Sequence, residues 1–190
     1  MDEEYVKEQS RKTVANEDAA APAIKESLNR ILGSIPRTAS ILDVGCRLGC
    51  GMRVMKEMGF KEVWGVDINE AYITRLKKEG FNVMWADIEL SVPFINDTFD
   101  FVWTRHTLEH CRHPEQALKN IRFMMRSGAF VHIIVPIQTE LEEYHHVLFK
   151  GPADLTEAVE KAGLSVQSLK RINRTKGLNF CDELWCLAMK

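Results

Sequence analysis

The sequence has little of what several protein classes require. No stretch approaches the roughly 20 consecutive apolar residues of a membrane-spanning helix, and a formal net charge of −2 argues against a strongly basic surface for nucleic acid. The cysteines are odd in number, five, and form no C-x-x-C pair, so neither a disulfide framework nor a zinc ribbon is indicated. Residues 1–12 are charged throughout and lack the apolar core of a secretory signal. We therefore expect a cytoplasmic protein without a membrane segment.

What remains is the composition of one globular domain. Hydrophobic residues make up 45% and charged residues 27% of the 190 residues, which is enough apolar material to bury a core and too much for a disordered chain. Residues 1–35 are polar and helix-prone, and apolar residues recur at helical spacing between positions 24 and 32. We interpret residues 1–35 as an N-terminal helical arm or lid and residues 36–190 as a single domain.

From residue 39 onward, short apolar runs alternate with helical stretches. Strands are predicted at 40–44, 62–66, 82–85, 99–103, 129–135, 164–172 and 183–189. Helices are predicted between them at 51–58, 69–79, 114–126 and 152–162. This rhythm indicates βαβ units around a parallel sheet. The predicted fold class is α/β, a Rossmann-like doubly wound sheet of seven strands with the last strand antiparallel and with N-terminal helices in front.

The most informative segment is the turn after the first predicted strand. Residues 41–44 read I-L-D-V, and residues 45–51 read G-C-R-L-G-C-G. Glycines let the backbone approach a ligand closely, and the N-terminus of the next helix offers unpaired N–H groups to an anion. A dinucleotide fingerprint, G-x-G-x-x-G, would need glycine in place of Arg47 and Cys50. A nicotinamide or flavin dinucleotide is therefore disfavoured.

Carboxylates follow the next two predicted strands as well. Asp67 lies 22 residues after Gly45, and Asp87 lies 20 residues after Asp67. A carboxylate about 20 residues past the glycine turn accepts ribose hydroxyls in doubly wound nucleotide sites. Each aspartate is also consistent with a helix cap or a solvated turn. Because the carboxyl ends of parallel strands share one edge of a sheet, we expect the turn and both carboxylates to line one cleft.

The turn resembles the first motif of the class I S-adenosylmethionine (SAM) methyltransferases, commonly D-V-G-C-G-x-G. The matching positions are Asp43, Gly45, Cys46 and Gly49. Arg47 stands where the middle glycine is expected, and its side chain either crowds the methionine end of the cofactor or points to solvent. The resemblance covers residues 39–190, and the Leu-Glu-His sequence at 108–110 is typical of one broad branch of the family.

The resemblance implies SAM, with S-adenosylhomocysteine as its demethylated form, as the cofactor of a methyl-transfer enzyme. In the family, the residue at the position of Asp67 binds the ribose, that of Asp87 accepts from the adenine amino group, and that of Ile68 packs on the adenine. The implied cofactor-binding residues are Asp43, Gly45, Cys46, Arg47, Gly49, Asp67, Ile68, Asp87, Ile88 and Thr104.

The segment after the fourth predicted strand bears on the acceptor. Methyltransferases of exocyclic base amines usually carry D/N-P-P-Y/F here, whereas residues 104–107 read T-R-H-T. Methylation of base amines is therefore disfavoured. Our first choice of acceptor is a small molecule with a hydroxyl or carboxyl group. His106 is the candidate general base, because histidine titrates near neutral pH. The candidate substrate-contacting residues are Arg105, His106, His110, Tyr144, His145 and His146.

A metal ion is not expected. His106, Glu109 and His110 are spaced i, i+3, i+4, which brings them to one face of a helical turn. Some relatives hold a divalent metal with E-x-x-E-H and a later histidine, but His106 replaces the first glutamate here, and the Leu-Glu-His sequence also occurs in members without metal. If a metal binds, its predicted ligands are His106, Glu109, His110 and His146, or His145 in place of the last.

Two other functions stay open. An RNA or protein methyltransferase of the same fold would use a cationic run that is equally consistent with a solvated strand edge: Lys170, Arg171, Arg174 and Lys176. A non-catalytic SAM-binding partner or regulatory subunit would account for Arg47 in the turn. The expected assembly is a monomer or a homodimer. The four tryptophans lie in or beside predicted strands, so we expect them in the core: Trp64, Trp85, Trp103 and Trp185.

Overall fold

The computed structural model describes residues 21–22, 24–91, 93–138, 140, 146–147, 149–173 and 182–190. Residues 24–32 are helical and are named α1. The other helices are α2 (Cys50–Glu57), α3 (Glu70–Lys78), α4 (Pro114–Met124) and α5 (Pro152–Lys161), with a 3-10 turn at Leu108–His110. The strands are β1 (Ser40–Val44), β2 (Glu62–Asp67), β3 (Asn82–Trp85), β4 (Phe99–Arg105), β5 (Met125–Pro136), β6 (Ser165–Ile172) and β7 (Glu183–Met189).

All seven strands join one sheet in the order β3-β2-β1-β4-β5-β7-β6. The first five strands are parallel to one another, with β1 between β2 and β4. β7 runs antiparallel between β5 and β6. The predicted fold class is therefore confirmed, including the antiparallel last strand. The turns that follow β1, β2, β3 and β4 all leave the same edge of the sheet, which is where open α/β sheets bind ligands.

Helices cover both faces of the sheet. One face, which carries Leu42 and Val102, packs against α4 and α5. The opposite face, which carries Ile41 and Phe101, packs against α1, α2 and α3. Successive strand residues alternate between the two faces, so burial on both sides explains why the central strands are almost continuously apolar.

The N-terminal helix belongs to this core. Ile24, Leu28 and Leu32 of α1 are buried against the sheet, which confirms the amphipathic helix predicted there. Residues 1–20 of the predicted arm lie outside the described residues, and the division at residue 35 stays a prediction. Among the helices that the structure describes, none combines the length and apolar character that a membrane crossing requires.

Three details differ from the sequence prediction. β4 extends two residues further, to Arg105, and β5 begins at Met125, where the helix was predicted to continue. Residues 126–128 are exposed, so they carry no apolar pattern that would mark a strand. Trp85, predicted in the core, is 51% exposed, because it ends the short edge strand β3.

Gly51 lets α2 lie close to the sheet. A Cβ atom added at Gly51 would overlap the ring of Trp103 and would lie 2.8 Å from Oδ2 of Asp43. The first turn of α2 therefore contacts both β1 and β4 without a side chain in between. Because α2 follows the glycine-rich turn directly, this close packing also holds the turn near the edge of the sheet.

Gly51→Ala should destabilise the protein by about 1–2 kcal/mol, because an overpacking cost of about 2–3 kcal/mol outweighs the gain of about 1 kcal/mol in helix propensity. Urea unfolding measures the change. Gly151→Ala is the matched control, since nothing lies within 4 Å of a Cβ added there. If Gly51→Ala were as stable as the wild type, the close contact between α2 and the sheet would be wrong.

Candidate functional site

Left-handed backbone shapes the turn between β1 and α2. The φ angles of Gly45, Arg47 and Gly49 are +75°, +46° and +81°. The N–H groups of Gly45 and of the next residue donate to the carbonyl of Val66 at 2.9 and 3.0 Å. A Cβ added at Gly45 would overlap the hydroxyl of Thr107. The turn is thus held against β2 and the loop after β4, and glycine is required at position 45.

Arg47 is accommodated despite its left-handed backbone, which costs a non-glycine residue about 1–3 kcal/mol. Its backbone N–H donates to Oδ2 of Asp67 at 2.8 Å, and the residue as a whole is exposed. The backbone of Arg47 thus ties the turn to the end of β2, and its charge also acts on the Asp67 carboxylate.

Asp67 ends β2 and is buried. Its Oδ1 accepts from the N–H of Asn69 at 2.8 Å, in addition to the bond from Arg47 at Oδ2. Burial raises the pKa of Asp67, and the two backbone hydrogen bonds and the Arg47 charge oppose that rise without cancelling it. Asn69 caps α3 by accepting from the N–H of Ala71 at 2.9 Å, so Asp67 is spared that role. Each oxygen of Asp67 keeps lone-pair capacity for a ligand hydroxyl.

An apolar surface borders Asp67 at the same edge. Ile68 is 61% exposed, and the indole Nε1 of Trp85 donates to the Ile68 carbonyl at 2.7 Å. Ile88 is buried beside the partly buried Asp87, in the loop after β3. Trp85 was not among the sequence-predicted site residues, yet it is in register with Asp67; its place at the end of a strand, two residues before Asp87, was a usable signal.

Buried polar side chains lie at the ends of β1 and β4, below the turn. Asp43 and Thr104 are both buried, and Oγ1 of Thr104 has no hydrogen-bond partner within the described part of the chain. Cys46 is buried as well. A Cβ added at Gly49 would lie 2.7 Å from Cδ2 of Leu76. The residues beneath the turn are therefore closely packed, and they include the Thr104 hydroxyl, which has no hydrogen-bond partner among the described residues.

A second cluster of polar groups lies immediately after β4. His106 has a φ angle of +51°, and its side chain is 30% exposed. Its Nε2 lies 2.9 Å from Oε1 of Glu183. Nη2 of Arg105 donates to the same oxygen at 2.8 Å, and Nε1 of Trp185 donates to Oε2 at 2.9 Å. The glutamate side chain is only 2% exposed.

These contacts set the charges of the cluster. Burial by itself raises the pKa of Glu183, but the hydrogen bond from His106, the charge of Arg105 and the indole N–H of Trp185 bring the pKa well below its usual range. Burial is also the main reason that the pKa of His106 is lowered; the Arg105 charge adds to that effect and Glu183 opposes it. At neutral pH, His106 is therefore uncharged and Glu183 is ionised.

Glu183 was not among the sequence-predicted site residues. A usable signal existed, because it is an acidic residue that opens the otherwise apolar run of β7, residues 184–189. Acidic residues are common at strand ends on the surface, so burial of the carboxylate was needed to single it out.

The remaining predicted residues are placed as follows. Arg105 is ion-paired and largely buried, whereas His110 is exposed. His146 is exposed too, and its backbone N–H donates to the carbonyl of Glu109 at 2.8 Å. Tyr144, His145, Arg174 and Lys176 lie outside the described residues.

The proposed metal ligands are only partly brought together. Nδ1 of His106 lies 3.8 Å from Oε1 of the buried Glu109. Over the part of the chain that the structure describes, no group of three or more His, Cys, Asp or Glu side chains is arranged to hold a metal ion.

Comparisons with known proteins agree with this architecture. A family described as a methyltransferase domain matches residues 16–169. The malonyl-[acyl-carrier protein] O-methyltransferase of Pseudescherichia vulneris is 27% identical over 132 residues, which are 67% of this chain and 52% of that protein. The tRNA U34 carboxymethyltransferase of Idiomarina loihiensis is 26% identical over 96 residues, 46% of this chain and 30% of that protein. The chain spans about half or less of the length of these curated relatives.

The solved structures agree with the family match. A SAM-dependent methyltransferase from Archaeoglobus fulgidus superimposes with a TM-score of 0.72 at 19% identity, covering 94% of this chain and 99% of that one. The family match covers most of the chain. The seven-stranded sheet with its antiparallel last strand and the glycine-rich turn after β1 are those that the resemblance to class I SAM methyltransferases predicts. The chain therefore belongs to the methyltransferase-domain family and has the class I SAM-dependent methyltransferase fold.

Proposed function

We propose that the protein transfers the methyl group of SAM to an oxygen of a small molecule, a hydroxyl or a carboxyl group. The observation that carries this proposal is the placement of three features at one edge of the sheet. They are the glycine turn at residues 45–49, the buried carboxylate of Asp67, and the His106–Glu183 pair. Together they offer a nucleotide site and a proton acceptor on neighbouring strands.

The residues at the turn fit the cofactor. Asp67 is held by two backbone N–H groups and retains acceptor capacity for the ribose hydroxyls. Gly45 leaves no side chain between the turn and the loop after β4, and the orphaned Thr104 hydroxyl lies at the same edge. We assign SAM, or S-adenosylhomocysteine, to these residues: Asp43, Gly45, Cys46, Arg47, Gly49, Asp67, Ile68, Asp87, Ile88 and Thr104.

When bound, SAM would supply an electrophilic methyl group on a sulfonium, and S-adenosylhomocysteine would be the leaving group as the carbon–sulfur bond breaks. His106 is uncharged at neutral pH, so it can accept a proton from an acceptor hydroxyl as the new carbon–oxygen bond forms. The proton goes to Nδ1, because Nε2 is engaged with the ionised Glu183. A carboxyl acceptor is already ionised at this pH and needs no base. Alignment of the acceptor then supplies most of the rate enhancement.

The comparisons support an oxygen acceptor, since one relative carries the name of an O-methyltransferase. An RNA acceptor has less support among the described residues, because Arg171 of the cationic run is paired with Asp182 at 2.5 Å. The proposal includes no metal. Light scattering would separate a monomer from a homodimer.

Asp67→Asn should weaken SAM binding about 10- to 100-fold, because hydrogen bonds to a charged acceptor contribute about 1.5–3 kcal/mol. Isothermal titration calorimetry with SAM and with S-adenosylhomocysteine, in chelator-treated protein, measures the effect. Glu70→Gln, an exposed acid in the first turn of α3, is the control and should bind like the wild type. If Asp67→Asn bound SAM with unchanged affinity, the proposal that Asp67 binds the ribose would be wrong. A wild type that does not bind SAM would overturn the proposed function.

The acceptor can be identified with methyl-labelled SAM and three probes, namely a phenol, malonyl-coenzyme A and unmodified tRNA. With the phenol, the rate should fall as pH falls through the lowered pKa of His106 and should be level above neutral pH. With the malonyl carboxylate, the rate should not depend on His106. His106→Gln should therefore lower only the phenol rate, by about 10²- to 10⁴-fold.

His113→Gln, at the exposed start of α4, is the control and should leave both rates unchanged. Transfer to tRNA alone would replace the small-molecule proposal with an RNA methyltransferase. Tight SAM binding without transfer to any probe would favour a non-catalytic partner subunit.

A further inference from the structure

We propose that Glu183 is a positioning residue for this site: its buried carboxylate holds His106 by Nε2 and thereby leaves Nδ1 as the nitrogen that accepts the proton. The inference rests on the proposed function, because it takes His106 to be the general base and explains the hydrogen bond between His106 and Glu183 by that role. Glu183 lies 77 residues from His106 along the chain, and its role follows only from the fold.

The carboxylate reaches His106 across β5. Glu183 opens β7 and pairs with Pro136, the last residue of β5, while Arg105 ends β4 and pairs with Ile134 of β5. Arg105 and Glu183 nevertheless join at 2.8 Å, above the sheet. Three strands, β4, β5 and β7, therefore fix the position of one carboxylate oxygen relative to the imidazole.

The hydrogen-bond pattern leaves one ring nitrogen for the reaction. An ionised carboxylate only accepts hydrogen bonds, so the Nε2 facing Oε1 of Glu183 carries the proton. In the uncharged ring, Nδ1 then holds the lone pair. Among the residues that the structure describes, the carboxylate oxygen paired with Nδ1 is Oε1 of Glu109 at 3.8 Å, which is beyond hydrogen-bond distance. The lone pair of Nδ1 is therefore not used in a hydrogen bond to that oxygen.

Arg105 completes the arrangement by balancing charge. It donates to the same oxygen of Glu183 as His106 does. The charged or titratable groups that face the imidazole are Arg105, Glu183, Glu109 and His110. With Arg105 opposite Glu183, the ring remains uncharged and able to accept a proton, while Glu183 stabilises the imidazolium once it forms.

Trp185 holds the other side of the carboxylate. Its indole Nε1 donates to Oε2 of Glu183 at 2.9 Å, and its ring packs edge-on against His132 with centroids 5.6 Å apart. The carboxylate is therefore anchored at both oxygens. His106 needs such an anchor, because it lies in a loop with left-handed backbone and is partly exposed.

The test is histidine side-chain NMR on full-length protein labelled with ¹⁵N, with the His106 signal assigned by its loss in His106→Gln. In the wild type, we expect the uncharged ring at neutral pH to carry its proton on Nε2. A ring protonated on Nδ1 would overturn the proposal without any variant at Glu183. This measurement needs neither the cofactor nor the acceptor.

Glu183→Gln then tests the cause. The His106 ring should populate both tautomers, and its titration midpoint should move to lower pH, since Glu183 favours the charged ring. Asp182→Asn, the neighbouring acid that pairs with Arg171, is the matched control and should leave both readings unchanged. If Glu183→Gln were folded and kept the wild-type tautomer and midpoint, Glu183 would not position His106.

Calorimetry with SAM on the same samples separates the two proposals. Retained SAM binding in Glu183→Gln, with an altered His106 signal, is the expected result. Absence of SAM binding in the wild type would refute the proposed function alone, since the NMR result stands independently of it. If Glu183→Gln does not fold, the wild-type tautomer decides the inference.

Discussion

Parallel pairing of β1 with its two neighbours is the constraint on which the site depends. Val44 is in register with Val66 of β2 and with Thr104 of β4. The residues that follow these three positions therefore leave the sheet at the same height. Had either strand slipped by one residue, every side chain along it would have changed face. The buried carboxylate of Asp67 and the loop that carries His106 therefore lie at the same edge of the sheet, on either side of β1.

The antiparallel direction of β7 brings Glu183 to the carboxyl edge of the sheet. In a fully parallel sheet, the first residue of that strand would lie at the opposite edge. Because β7 runs opposite to β5, its first residue, and not its last, lies at the carboxyl edge. Glu183 thus enters the site from a strand that begins there. Its burial is tolerated because Arg105 and His106 meet one oxygen and Trp185 meets the other. All three partners favour the charged form, so the carboxylate is ionised although it is buried.

The positive φ of Gly45 was predictable because a tight strand–turn–helix connection requires it locally. Its close contact with Thr107 was not predictable, because that residue comes from the loop after β4. The position of Asp67 at the end of β2 was predictable from the apolar run before it, and its ribose role stays a prediction. Trp85 was wrongly predicted to lie in the core, because its position in a strand says nothing about whether that strand is an edge. The start of β5 was missed since residues 126–128 are exposed and polar.

The sequence by itself determined the alternation of strands and helices, the sheet of seven strands and the candidate cofactor residues. The strands and helices follow from the apolar periodicity of each segment. The candidate cofactor residues follow from the turn motif, from the spacing of 22 residues between Gly45 and Asp67, and from the family resemblance. Only the tertiary structure decided that Glu183 joins Arg105 and His106, that the Arg47 residue is exposed, and that His106 is uncharged at neutral pH. Burial and long-range contacts set charge states and partners, and a linear pattern carries no information about either.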